Sequence, residues 1–171
     1  PDGLANSSGA LGRYLMDHAM STGAKATFRG WEAYKYTGER PNGIYIPRFR
    51  NVTEPTSDFL RGYGYQGWSA RRGWSRGLDM PGFGAGYKEK LTQPGPWEFE
   101  LGAWGECLPR EDNYVELDPE QTDAWGIPTL RIHCTWGENE RIMMQDAAER
   151  AAEMLDAGGG REIELATDLT A

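Results

Sequence analysis

The densest group of side chains able to hold a small polar ligand lies between Tyr63 and Arg76, where Tyr63, Tyr65, Gln66, Trp68, Arg71, Arg72, Trp74 and Arg76 are interleaved with glycines. Aromatic rings stack on the C–H faces of sugars, and planar amide and guanidinium groups take their hydroxyls, so this mixture points to a carbohydrate-type pocket. Residues that could break bonds are scarce. Glu98 and Glu100 could pair as in a glycosidase, but one strand face would hold them about 7 Å apart on the same side, as a solvated row. His18 and His133 stand in no metal-binding spacing. Cys107 and Cys134 are too few for a disulfide framework and lack the short paired spacing of a zinc site, so both read as packing residues. The chain carries no GxSxG elbow, no phosphate loop and no GxGxxG dinucleotide loop after a strand. No catalytic residue and no metal ligand are therefore assigned within it.

These residues need elements to position them. From Arg61 to Ser69 glycine alternates with large side chains, which reads as a strand presenting Tyr63, Tyr65 and a bulged Trp68 on one face. Glycine inside a strand marks close approach of a ligand or of another backbone. Residues 70–90 are rich in glycine, arginine and tryptophan without a sustained period, and read as a long loop, of a length that in compact domains is usually functional or disordered. Trp97 to Trp104 alternates, with Trp97, Phe99 and Leu101 on one side and Glu98 and Glu100 on the other. Further strands are expected at Ala24–Gly30, at Ile44–Phe49 after a turn at Tyr36–Gly43, at Asn113–Leu117, at Pro128–Trp136 after a turn at Asp118–Glu120, and at Arg161–Ala166. Asn139 is placed to cap a helix reaching Ala157, with Met144, Ala147, Ala148, Ala151, Met154 and Leu155 as its apolar stripe and Gly158–Gly160 as its stop. The expected class is α+β, a largely antiparallel sheet of five to six strands with a long C-terminal helix and few others on one face.

The 171 residues suit one domain. A formal net charge of −8, from 26 acidic against 18 basic residues, argues against nucleic acid, which needs a basic footprint. No run approaches the length of a membrane span, and the first residues lack the layout of a signal peptide, so the segment reads as soluble, with the compartment, bacterial cytoplasm or periplasm, left open. A start at Pro1 and an end straight after a strand read as boundaries inside a longer polypeptide.

Several blocks, in order, resemble one family. Leu11-Gly12-Arg13-Tyr14-Leu15-Met16-Asp17-His18 is similar to the stretch VGRNLxDH that leads from the flavin domain into the substrate domain of glucose–methanol–choline (GMC) oxidoreductases, with Tyr14 where that stretch has Asn. Gly105-Glu106-Cys107-Leu108-Pro109, Asn113-Tyr114-Val115-Glu116-Leu117-Asp118-Pro119 and Asp123-Ala124-Trp125-Gly126-Ile127-Pro128 resemble the substrate-domain run E-x-x-P, N-x-V-x-L-D-P, D-x-x-G-x-P. The resemblance implies a connector over residues 1–20, a substrate-binding domain over 21–171, and a sheet whose face roofs flavin and substrate. It also implies FAD bound mainly by segments outside this chain, and a histidine, also outside it, that takes the hydroxyl proton of a sugar or alcohol while hydride passes to the flavin. The partners implied are the substrate, the flavin domain of the same polypeptide and an electron acceptor whose nature is left open. A sugar dehydrogenase, rather than an oxidase, is expected, inactive as this segment alone. The resemblance to such enzymes further implies that the loop over residues 70–90 closes on the substrate, with Arg71, Arg72 and Trp74, and with Tyr65, Gln66 and Trp68 on the adjoining strand, as the six candidate substrate contacts. The competing reading is a stand-alone carbohydrate-binding module.

Overall fold

The computed structural model describes residues 4–31, 33, 43–55 and 58–169. Eight strands and two helices follow one another as β1 (His18–Ala19), β2 (Gly23–Phe28), β3 (Gly43–Ile46), β4 (Tyr63–Arg71), a 3₁₀ turn (Trp74–Leu78), α1 (Gly84–Thr92), β5 (Trp97–Glu106), β6 (Tyr114–Thr122), β7 (Pro128–His133), α2 (Glu138–Ala157) and β8 (Arg161–Ala166). Six strands form one antiparallel sheet in the order β3-β4-β5-β2-β8, with β1 alongside β5 beyond β2. β6 and β7 form a separate two-stranded ribbon. The class is α+β, as expected from the sequence. Among the described residues no helix is long and apolar enough to cross a membrane.

Alternation along β5 organises the molecule. Phe99, Leu101, Ala103 and Gly105 face α2, and Glu98, Glu100, Gly102, Trp104 and Glu106 face away from it. Ala24, Ala26, Tyr63, Tyr65, Leu101 and Ala103 meet Met143, Met144, Ala147, Ala151 and Leu155 of α2, all buried. Each large apolar side chain buried here contributes about 1.5–3 kcal/mol. The helix can lie this close because Gly105 has no side chain, since a Cβ there would meet Met143 Cε at 2.6 Å and Met144 Sδ at 2.8 Å. A polar clamp fastens the same face. Asp146 of α2 accepts both guanidinium hydrogen bonds of Arg50 at 2.9 Å and one from the Tyr63 hydroxyl, and the Tyr65 hydroxyl donates to Ala147 O at 2.6 Å.

Several local expectations are corrected. α2 is capped by Gly137, whose N–H donates to the Glu140 carboxylate at 2.9 Å, while Asn139 is spent on Leu60, accepting from its N–H and donating to its carbonyl. Asp118–Glu120 is not the turn of the ribbon. Asp118 Oδ1 accepts the N–H groups of Glu120 and Gln121, the register shifts, β6 runs on to Thr122, and the chain reverses at residues 123–127, closed by Asp123 N–H to Ile127 O. β3 pairs with β4 and not with β2, the strand before it in the chain. The turn expected at Tyr36–Gly43 falls almost wholly on 36–42, outside the described residues.

Residues 70–90 are not an open loop. β4 ends at Arg71, and the excursion folds into the 3₁₀ turn and α1. Buried Arg76 holds it shut, donating to the carbonyls of Arg72, Gly73, Lys90 (3.0 Å), Leu91 (3.2 Å) and Gln93. The Tyr87 hydroxyl donates to Gly77 O. α1 buries only Leu91, so side chain to backbone bonds hold it where an apolar stripe is missing.

Candidate functional site

The face of the sheet turned away from α2 is a grid fixed by strand register. One row across it reads Tyr45, Gln66, Gly102, Gly23 and Ala166. The next reads Gly43, Trp68, Glu100, Lys25 and Glu164, and on the other side Gly64 pairs with Trp104. Apart from Gly64, these residues line a broad concavity of about 1220 Å³. Trp68 and Trp104 bracket its floor. They lie four residues apart along neighbouring strands, hence about 13 Å from one another in the strand direction. Between them the floor is Gln66, Gly102 and Gly23. Tyr45, Trp68 and Trp104 all expose ring surface to the opening.

The glycines of this region do different work. Gly67 turns towards α2 and is closed in, its Cβ position lying 2.4 Å from Glu100 O. Gly23 adopts a φ of +148°, and a Cβ there would strike Leu101 O at 2.0 Å, so backbone packing dictates glycine. At Gly102 neither constraint applies, because the nearest atom to a Cβ is Gln66 O at 3.6 Å, an ordinary contact. The protein could carry a side chain there without strain, and instead leaves bare the middle of the floor between the tryptophans.

Polar groups edge the floor. Lys25 Nζ pairs with Glu164 Oε2 at 3.0 Å, Glu98 is engaged by Arg72 at 3.3 Å, and Glu106 receives Arg48 at 2.6 Å. Glu98 and Glu106 are thus held in ion pairs. At the far end His18 sets its ring edge-on to Trp104, with centroids 5.4 Å apart. His133 is elsewhere, on the ribbon, stacked on Tyr114 and 3.0 Å from Glu116 Oε1. Behind the floor the buried hydroxyls are held protonated. Burial first, and the adjacent Asp146 carboxylate second, push the Tyr63 hydroxyl up to about 12, while burial raises Tyr65 further. Arg50 is raised by its hydrogen bond to Asp146. Cys107 is also pushed up, by burial and then by the Glu140 charge. Among the described residues no group of three or more His, Cys, Asp or Glu could hold a metal ion.

The six candidate contacts separate. Gln66 and Trp68 stand on the open face within the concavity. Trp68 follows plain alternation without a bulge, and so lies opposite to Tyr63 and Tyr65. Tyr65 does not join them; fully buried against α2 with its hydroxyl engaged, it packs the core. Arg71 and Arg72 flank a small recess with Trp68, Glu98 and Glu100, but both are tied down, Arg71 to Gly95 O at 2.7 Å and Arg72 to Asp79 and Glu98. Trp74 projects from the 3₁₀ turn, exposed. Tyr45, Trp104 and Gly102 were missed as site residues. The parity that sets Glu98 and Glu100 opposite to Leu101 also carries Gly102 and Trp104 to the open face. Tyr45 is placed only by the β3–β4 register.

Comparison with known proteins gives two matches along nearly the whole chain. A 2-methyl-1,2-propanediol dehydrogenase from Mycolicibacterium austroafricanum is 31% identical over 95% of this chain, and a fructose dehydrogenase large subunit from Gluconobacter japonicus is 28% identical over 96% of it. The chain spans about 30% of the length of each. No family model matches. The chain is thus similar, along nearly its whole length, to part of each of two proteins named as dehydrogenases.

Proposed function

We propose that this chain is the substrate-binding portion of an FAD-dependent dehydrogenase of the GMC type, oxidising a hydroxyl of a sugar or small alcohol. Residues 21–171 form the binding unit and residues 1–20 the connector to a flavin-binding part of a longer polypeptide. The observation that carries the reading is the open sheet face, with a bare floor at Gly102 between Trp68 and Trp104, in a chain similar along its length to parts of two dehydrogenases. One relative is named for a diol and the other for fructose.

The residues present fit a flavin ring facing this surface and not the dinucleotide's phosphates. A flat ring can close the opening over a substrate held on the bare floor, whereas the carboxylates Glu100 and Glu164 on the same face disfavour a diphosphate. When bound, FAD supplies the hydride acceptor for the carbon bearing the hydroxyl. Trp68 and Trp104 stack on the C–H faces of the substrate and keep water from the reacting carbon. The Gln66 amide, beside Gly102, donates to and accepts from hydroxyls and sets which carbon is presented. Tyr65 is withdrawn from the contact set, and Tyr45 enters it. The base that removes the hydroxyl proton belongs to another segment.

The test is to express the longer natural polypeptide that carries this segment, and to record flavin absorbance and dye reduction with a panel of sugars, diols and simple alcohols. A yellow protein that reduces dye with a sugar or diol is the expected result. A colourless protein that binds glycans by titration without oxidising them would instead establish a carbohydrate-binding module.

A further inference from the structure

The β6–β7 ribbon is an amphipathic element with the wrong face covered. Val115 pairs with Ile132 and Leu117 with Leu130, so these four side chains share one face, and the reversing segment at 123–127 also exposes Trp125 and Ile127. Leu117, Trp125, Ile127, Leu130 and Ile132 are all between 60 and 84% exposed. Among the described residues no helix and no other strand lies across this face. The opposite face satisfies itself. Tyr114 stacks on His133 under the Arg13 guanidinium, Glu116 meets His133 at 3.0 Å, and Arg131 meets Asp118 at 3.0 Å. The ribbon base is tied to the amino-terminal segment, with Val115 N–H donating to Gly12 O at 2.7 Å and Leu15 N–H to Asn113 O at 2.9 Å. A two-stranded ribbon is marginal in water unless something packs on its apolar face, and a contiguous exposed apolar surface marks an interaction site.

We infer that this apolar face of the ribbon is the surface on which another folded part of the same polypeptide docks, an apolar surface with a basic rim. The inference rests on the reading of this chain as a segment of a longer dehydrogenase, and three observations select this occupant. The relatives are far longer than the matched segment, which covers about 30% of each, so the larger part of each chain is there to provide a cover. The ribbon is acidic, with Glu111, Asp112, Glu116, Asp118, Glu120 and Asp123 against Arg110 and Arg131. Two copies of it placed face to face would repel, and an anionic lipid surface would repel it as well. A less acidic protein surface from within the polypeptide meets neither objection.

The experiment uses the longer natural polypeptide freed of its own reactive cysteines. Single cysteines are introduced by Ile132→Cys and Leu130→Cys on the apolar face and by Glu120→Cys as the exposed reference. Maleimide labelling at low protein concentration is expected to run about tenfold or more slower at positions 130 and 132 than at 120. Equal rates at the three positions would overturn the inference. Protection that disappears on dilution would also overturn it, because the cover would then be a second copy, and so would protection that needs added vesicles. Hydroxyl-radical footprinting of the unsubstituted polypeptide, following Trp125 and Leu130, reads the same burial without depending on any variant. Flavin absorbance of the same preparation separates the two claims. A flavin-free polypeptide with shielded positions removes the dehydrogenase and keeps the docking, and a flavin-bearing one with exposed positions does the reverse.

Discussion

The two faces of the central sheet are built from the same strands and differ in what their residues owe to the fold. Towards α2, Leu101, Ala103, Tyr63 and Tyr65 are buried, their hydroxyls are engaged, and Gly67 and Gly105 are required by atoms within 3 Å of the missing Cβ. On the other face Gln66, Trp68, Trp104 and Tyr45 stay exposed, and Gly102 is glycine without steric necessity. One residue along a strand therefore separates side chains that hold the fold from side chains left over for a ligand. Substitutions on neighbouring residues can test that division.

The largest expected contrast is between Leu101 and Glu100. Leu101→Ala, which empties a site 2% exposed, is expected to cost about 2–5 kcal/mol in chemical denaturation, whereas Glu100→Ala is expected to stay within about 0.5 kcal/mol. Equal losses would dissolve the distinction between the faces. Next comes the clamp behind the floor. Asp146→Ala leaves the Arg50 guanidinium and the Tyr63 hydroxyl without their shared acceptor, at about 2–4 kcal/mol. The clamp also sets a pH response. The Tyr63 hydroxyl holds its proton up to about 12 when folded against 10.0 as its ordinary value, so the stability that this group contributes is intact below pH 10.0 and is lost as pH rises towards 12. A denaturation midpoint followed from neutral to alkaline pH should fall in that window, and Tyr63→Phe should flatten the fall. Smaller still is the glycine pair. Gly105→Ala is expected to destabilise by about 1–3 kcal/mol through overpacking against Met143 and Met144, while Gly102→Ala is expected to be neutral or stabilising by up to about 1 kcal/mol.

Much of this division is legible in the sequence, because periodicity reports burial. The alternation from Trp97 to Leu101 sorts β5 correctly, and the stripe from Met144 to Leu155 finds α2. What escapes is what depends on partners remote in the chain. α1 has no stripe to read, since its order comes from one buried arginine reaching carbonyls at its far end. Asp118-Pro119 carries turn chemistry, yet the Asp118 side chain absorbs it as a register shift and the strand continues. At the site, Gln66 and Trp68 are recoverable from composition, but the choice of Tyr65 beside them ignores the alternation that turns it towards α2. Trp104 needs the same alternation carried three residues past Leu101. Tyr45 joins the floor only through the pairing of β3 with β4, which no local pattern announces.

The most direct test of the open face as the substrate wall is steady-state dye reduction by the longer natural polypeptide carrying Gly102→Leu, set against the unsubstituted protein with the same sugar or diol. A side chain there fills the space between Trp68 and Trp104 while the space around Gly102 leaves the fold intact, so flavin absorbance should be unchanged and kcat/KM should fall by about tenfold or more. Unchanged kcat/KM in a protein with a filled floor would contradict the account and move the substrate to another surface of the molecule.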